Sequence, residues 1–477
     1  MIRTYFKYFM FVLFCVPSMA QNMQILYDFD HLPQTLLLNP GSKVDYKKHI
    51  GVPLLSNLYL DIGSSNKDIS YNSVIAGSDG LGDVLNSMYA LGLGENDVFI
   101  FNQQIELFNM GFELRNPKYY LSFGMYQQID GFTAYAPDVA NLFVNGNDQN
   151  GDGIPETEQL FVTDQLNTAG EMVGVFHVGI NKKISERFSG GLRLKILSGS
   201  LGVQTKSNQG DYQLTLDSFN PYVHNYDHMN TTFNSSGILN YTNLNTDVGG
   251  TSELISDLFF MSGSFGMALD LGFTYDVSDE ITVTGSILDL GMLRFNHKLT
   301  QIEFQDARIG IGPDEWYDPP EGGELNYWQE QFIAGQLPIE SSPSSYSQVR
   351  APKLNASGRY NMKRLVKQDK SAFRDVRANL NSEYLISSLG MQVYTEFRNE
   401  KALWAVTGFY SREITRYLNA KVTYTVDRFS ATNLGLGFSV NVKSFNFYAA
   451  VDNLLALPNI KNSNYQSFQV GMNFIFK

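Results

Sequence analysis

The sequence predicts an all-β fold, a transmembrane antiparallel β-barrel of about 14 strands, in the range of roughly 12 to 16, with an N-terminal plug segment. Three observations predict it: long runs of strict two-residue alternation, an export signal, and a composition rich in Gly, Phe and Tyr. Glycine occurs 41 times, Phe 34 and Tyr 27, while charged residues make up only 17%. That is the make-up of a barrel wall with aromatic girdles.

The alternation is cleanest at the C-terminal end. Leu434, Leu436, Phe438, Val440 and Val442 alternate with Gly435, Gly437, Ser439 and Asn441. After Lys443-Ser444 the series resumes as Phe445, Phe447, Ala449 and Val451, and it closes as Phe468, Val470, Met472, Phe474 and Phe476. One apolar and one small or polar face marks a strand buried on one side. Runs of about nine to eleven residues suit a tilted strand crossing hydrocarbon.

The N-terminus predicts the compartment. Arg3 and Lys7 precede the apolar run Phe9 to Val16, and Pro17-Ser18-Met19-Ala20 offers small residues where a signal peptidase reads. Residues 1–20 are therefore expected to be a signal peptide. Cys15, the one cysteine, lies inside it, which excludes a disulfide scaffold in the mature chain. Loss of two basic residues and no acid takes the net charge from −13 to −15, so no nucleic-acid partner is expected. The expected location is the cell outer membrane of a Gram-negative cell, with its lipid as the first partner.

Residues 21–56 are irregular and broken by Pro40 and Gly41, and are expected to form the plug. Residues 57–477 are expected to be the barrel. A hairpin is expected from 57–65 and 68–76, and a short amphipathic helix over 80–93. Alternation marks wall strands at 120–126, 187–196 and 264–275, and more roughly near 171–183, 280–290, 350–361, 376–386, 389–398, 402–412 and 418–427. If the last strand ends in the periplasm, Lys443-Ser444 and the turn near Glu413 are periplasmic and 453–464 is extracellular. Insertions at 130–170, 207–262 and 301–348 read as long extracellular loops and are where recognition is expected. The last holds nine acidic residues and one basic one, Arg308, between Glu303 and Glu340.

The sharpest local motif is Asn147-Asp148-Gln149-Asn150-Gly151-Asp152-Gly153-Ile154-Pro155-Glu156. It fits D-x-[DN]-x-[DN]-G, in which alternate oxygens converge on Ca²⁺ and glycine permits the turn. Asp148, Asn150 and Asp152 would bind through side chains, Ile154 through its carbonyl and Glu156 directly or through water, making a structural Ca²⁺ site. The motif departs from an EF-hand at Gln159, where a bidentate Glu is needed, and the plain alternative is an acidic turn without an ion. His224, Asp227 and His228 would suit a metal only on a helix, which their Asn-rich surroundings do not favour. No G-x-S-x-G, H-E-x-x-H or P-loop occurs, so no catalytic or other cofactor-binding residue is assigned and no enzyme is expected. Arg193, Lys195, Asp270, Glu396 and Arg398 are expected to face the lumen and bond one another.

Asn39-Pro40, Gly51-Val52-Pro53-Leu54-Leu55, Asp289-Leu290-Gly291 and Asp452-Asn453-Leu454 together resemble an uncharacterised outer-membrane barrel family related to FadL-like barrels and to the PorV-like barrels of type IX secretion. The resemblance covers nearly the whole mature chain and implies fourteen strands with an N-terminal hatch. It leaves two functions open: binding or transport of a hydrophobic small molecule, or a non-transporting accessory barrel that anchors secreted or surface protein.

Overall fold

The computed structural model describes residues 23–70, 72, 94–95, 97–164, 166–218, 222–237, 263–313, 315–320, 325–365, 384–398, 401–415, 417–427, 429–430 and 432–477. The expected signal peptide and the 80–93 helix lie outside these residues.

Fourteen antiparallel strands close into a barrel. After the first strand come Val98–Glu113, Tyr119–Ala134, Asn167–Lys183, Phe188–Lys206, Ser264–Asp276 and Ile281–Phe295. The second half is Lys353–Leu365, Tyr384–Arg398, Lys401–Glu413, Leu418–Val426, Asn433–Val442, Phe445–Asp452 and Tyr465–Phe476. Each pairs with the next in sequence. The first strand is broken into Lys48–Gly51 and Leu58–Ser64, and both pieces pair with the last strand on one side and with Val98–Glu113 on the other. Closure leaves no free edge, which is what permits a sheet to stand in hydrocarbon.

Outward positions carry exposed Leu194, Ile196, Phe265, Met267, Leu271 and Phe273, while the alternate positions are buried. Phe188, Tyr275, Tyr417, Phe445, Phe474 and Phe476 gather near the short turns as an aromatic girdle. Long loops leave the other end, which fixes it as extracellular.

Four expectations change. Wall structure begins at Lys48, ahead of residue 57. Residues 58–64 do not pair with 68–76, because both their edges are already taken by other strands. Of the strands expected at 376–386 and 389–398, residues 384–398 form the single strand Tyr384–Arg398, and 376–383 lie outside the described residues. Val98–Glu113, not recognised in the sequence, is a full wall strand; its register slips between Glu106 and Phe108, so Leu107 interrupts the alternation. That slip faces the break in the first strand, where Leu54 N–H donates to the Leu107 carbonyl (3.2 Å).

The three long insertions are not separate loops. They supply a second, four-stranded sheet in the order Ala307–Ile311, Tyr222–Asp227, Asp211–Thr215, Leu160–Val162. With the helices Pro137–Asn145 and Leu325–Ile333 it forms a small domain at the extracellular end. Phe161, Tyr212, Tyr226 and Tyr317 make its core, packed with Leu142 and Trp328.

Candidate functional site: the barrel lumen and its extracellular domain

The wall strands turn an uncommon number of charges inward, and these find one another. Lys195 Nζ lies 2.8 Å from Asp270 and 2.7 Å from Asp289. Arg350 reaches Asp289 at 3.2 Å and Glu171 at 2.9 Å. Lys353 bonds Asp130 at 3.1 Å and stands 3.7 Å from Asp289, while Arg398 joins Glu396 at 2.7 Å and also bonds Asp130. Arg193 completes the set 3.5 Å from Asp270. All are buried. Asp130 stands on the third wall strand and its partners on the eighth and ninth, so the lattice ties opposite walls across the lumen. The five lumen charges read from the sequence are all in it; Asp130, Glu171, Asp289, Arg350 and Lys353 were missed. For Asp130, Glu171, Asp289 and Lys353 the sequence signal is a lone charge at an inward position of a long strand.

Below the lattice, residues 23–42 are buried against inward-facing side chains from around the barrel. Gln34 bonds Glu106 (3.2 Å) and exchanges hydrogen bonds with Asn473 (2.9 and 3.0 Å). Ser286 donates to the Leu38 carbonyl (2.6 Å), Asn181 to those of Pro40 and Ser42 (2.7 and 2.8 Å), Arg193 to Leu36 and Lys421 to Tyr27. At the short-turn end Arg359 pairs with Asp30, and His31 meets Glu413 at 2.8 Å. Backbone carbonyls in an irregular segment need donors once out of water, and the wall supplies them. Pro40 sits directly on the wall backbone: a Cβ on Gly191 would come within 1.9 Å of its carbonyl oxygen. A cavity of about 40 Å³ remains among Met23, Leu37, Tyr59, Gln104, Tyr126 and Leu288.

Two apolar clusters interrupt this polar lining. Val98, Ile100, Phe132, Ala134, Leu403 and Ala405 meet Tyr394, Tyr465 and Phe429 in one buried cluster at the extracellular mouth. A second, on the third to seventh strands, gathers Tyr126, Val173, Val175, Leu197, Leu293 and Phe295 around Leu37 of the N-terminal segment.

In the extracellular domain, Asp148 accepts amides from Gly151, Asp152 and Gly153 at 2.7, 3.2 and 2.7 Å. Those bonds hold its pKa below the ordinary carboxylate range despite the opposing effect of desolvation. Asp152 accepts Ile154 N–H (2.9 Å), and Glu156 accepts Gln149 N–H (2.5 Å) and the Asn150 side-chain amide. The loop thus brings Asn150 and Glu156 into contact and aims Asp148 into the turn. Among the described residues no three His, Cys, Asp or Glu side chains gather as they would around a metal, so an ion here would rest on the Asn150 and Ile154 oxygens as well. His224, Asp227 and His228 make no site: His224 is buried, stacked 4.3 Å from Tyr317 and bonded to Tyr212 (2.7 Å), whereas His228 is exposed on Asp211. His224 and Asp227 lie on a strand and His228 in the bend after it, none of them on a helix.

These features define a class: a closed, fourteen-stranded membrane β-barrel whose lumen is crossed by ion pairs, occupied from its short-turn end, and topped by a folded loop domain. The chain belongs to the family of unknown function DUF5723, whose model matches residues 40–452. No curated protein matches it. Similar solved structures include the Ralstonia pickettii toluene transporter TbuX (9% identity, 97% of this chain and 100% of that one, TM-score 0.40). A Pseudomonas aeruginosa FadL homologue (10%, 93% and 94%, 0.38) and the translocator domain of the Neisseria meningitidis autotransporter NalP (6%, 90% and 90%, 0.27) are others.

Proposed function

We propose that this barrel carries a hydrophobic small molecule across the outer membrane, with residues 23–42 as its gate and the described conformation as the closed one. The apolar cluster facing inward at the mouth carries the reading. A water-filled pore is polar inside, whereas Ile100, Phe132, Leu403 and Phe429 would receive an apolar solute and return it nothing in hydrogen bonds. Passage requires the N-terminal segment to leave its wall contacts, since the cavity beside it has room for about one water.

A second reading, an accessory barrel that holds a secreted or surface protein, is favoured by the loop domain, which is built from three insertions and has its own core.

The test is extraction of the protein from its native membrane in mild detergent, followed by mass spectrometry. A stoichiometric lipophilic molecule, lost when Phe132 and Leu403 are both replaced by Asn, supports transport. A stoichiometric protein partner without any lipophilic molecule overturns it in favour of the second reading.

A further inference from the structure

The ion-pair lattice does not use every acid at its level. Asp61 pairs in register with Asn102, and Asn102 with Asp130, so Asp61 continues the row that holds Asp130. Asp452 joins from the other side. Both it and Asp61 stand opposite Ser467 on the last strand, which puts their Cα atoms roughly 9–10 Å apart. Asp61 is 0% exposed and Asp452 3%, yet among the described residues neither has an ion-pair partner. The Oδ1 atom of each also lacks a hydrogen-bond partner there, as does the Thr423 hydroxyl. That hydroxyl, Asp452 Oδ1 and the Ile25 side chain meet around one point beside Gly435. Lys421 lies within electrostatic reach of Asp452, but it donates to the Tyr27 carbonyl, and Asp427 adds a further negative charge. Buried carboxylates with too little positive charge to answer them are costly.

The N-terminal segment climbs toward this place. From His31 at the short-turn end it rises past Tyr27 to Met23, whose N–H donates to the Tyr59 hydroxyl (3.4 Å) and whose sulfur accepts the Gln469 amide (3.8 Å). Tyr59 stands on the same inward face as Asp61, two residues nearer the short turns, a step of about 7 Å. Cleavage after Ala20 leaves Gln21 and Asn22 ahead of Met23, with an extended reach of about 7 Å. The new terminus is an α-ammonium, mostly charged at neutral pH. A metal ion suits the place less, because two carboxylates and a hydroxyl fall short of the roughly six to eight oxygens that Ca²⁺ takes.

We propose that Asp61 and Asp452 form a binding site for a primary ammonium, and that its ligand is the α-amino group of Gln21 that signal-peptide cleavage creates. The inference rests on cleavage after Ala20 and is independent of what the barrel carries. An unprocessed chain has an amide at that position and cannot make the pair, so only the processed protein balances these carboxylates.

The test uses the full-length protein purified from its native membrane in mild detergent. A short pulse of an amine-acetylating reagent is applied to the folded and to the unfolded protein, and the N-terminal peptide is read by mass spectrometry. Acetylation consumes the neutral amine, which the pairing withholds. The terminus should be Gln21 with its amine intact, acetylated at least about tenfold more slowly in the folded protein. The double variant Asp61→Asn, Asp452→Asn separates pairing from burial, because Asn has the shape and neutrality of a protonated Asp. If the acids hold the ammonium, the variant should lose about tenfold of that protection. Where the double variant does not fold, each single variant serves, with an expected loss of about threefold. Protection unchanged by these substitutions overturns the proposal, since the acids are then merely protonated. Equal rates in the folded and unfolded protein, a terminus other than Gln21, or a Gln21 cyclised with loss of ammonia overturns it as well.

Discussion

Asn147 and Tyr317 bind each other twice, backbone to backbone and backbone to side chain, although 170 positions separate them. Asn147 also accepts the Tyr212 hydroxyl (3.0 Å), and is itself buried. Asn147→Ala would strand the Tyr317 amide and leave the Tyr212 hydroxyl with His224 alone, a loss of about 1–3 kcal/mol from the loop domain. The expected result is faster proteolysis of the loop domain with the barrel's resistance to heat and detergent unchanged.

Pro40 and Gly191 make the corresponding contact in the lumen. Replacing Gly191 by Val should prevent residues 39–41 from seating, as should Gly272→Val, whose Cβ would lie 2.1 Å from the Asn39 side chain. Cleavage within residues 23–42 by an added protease should rise in both variants. If these residues form the gate, ion conductance across a planar bilayer should rise with it.

Asp289 serves Lys195, Arg350 and Lys353 together. Asp289→Asn keeps the shape and removes the charge they share, which in a buried network costs about 3–5 kcal/mol. The midpoint of the heat-induced mobility shift on gels should fall. Asp289→Glu should recover part of that loss.

Two histidines predict opposite responses to pH. Burial disfavours the charge on His31, but Asp45 and Glu413 outweigh it and push its pKa up to about 10. Since the folded value exceeds the unfolded one, seating of the N-terminal segment is fully supported below pH 6.5 and loses that support as pH rises toward 10. Burial pushes His224 down to about 4, so the loop domain is supported above pH 6.5 and loses stability as pH falls toward 4. Protease mapping across pH should open the N-terminal segment at the alkaline end and the loop domain at the acid end. His31→Gln should abolish the first response and His224→Gln the second.

We propose that the Asp148 loop takes Ca²⁺ weakly. Millimolar Ca²⁺ should slow its proteolysis relative to chelator, and Asp148→Asn should remove the difference. An unchanged rate would leave it an acidic turn.

The wall was largely legible because burial on one side writes itself as period two, as Phe445 to Val451 and Phe468 to Phe476 illustrate. Val98–Glu113 escaped because a single extra residue, Leu107, reverses the parity midway. The loop domain escaped for another reason: strands such as Leu160–Val162 and Asp211–Thr215 are too short to establish a period, and their partners lie in distant insertions. The lattice was half legible. Lys195 and Asp270 stand out within alternating runs, but Arg350 follows the short strand Tyr346–Val349, and nothing local says that it turns inward to Asp289. The motifs behind the family resemblance lie at backbone irregularities. Gly51 to Leu55 spans the broken first strand, while Asp289 and Asn453 adopt positive φ (59° and 53°).

Gln34 bridges Glu106 on the second strand and Asn473 on the last. That bridge is complete only when the final strand stands beside the first, so Gln34 satisfies both partners only in the closed ring. Its paired bonds act as a latch across the seam, holding the ends of the ring together from within.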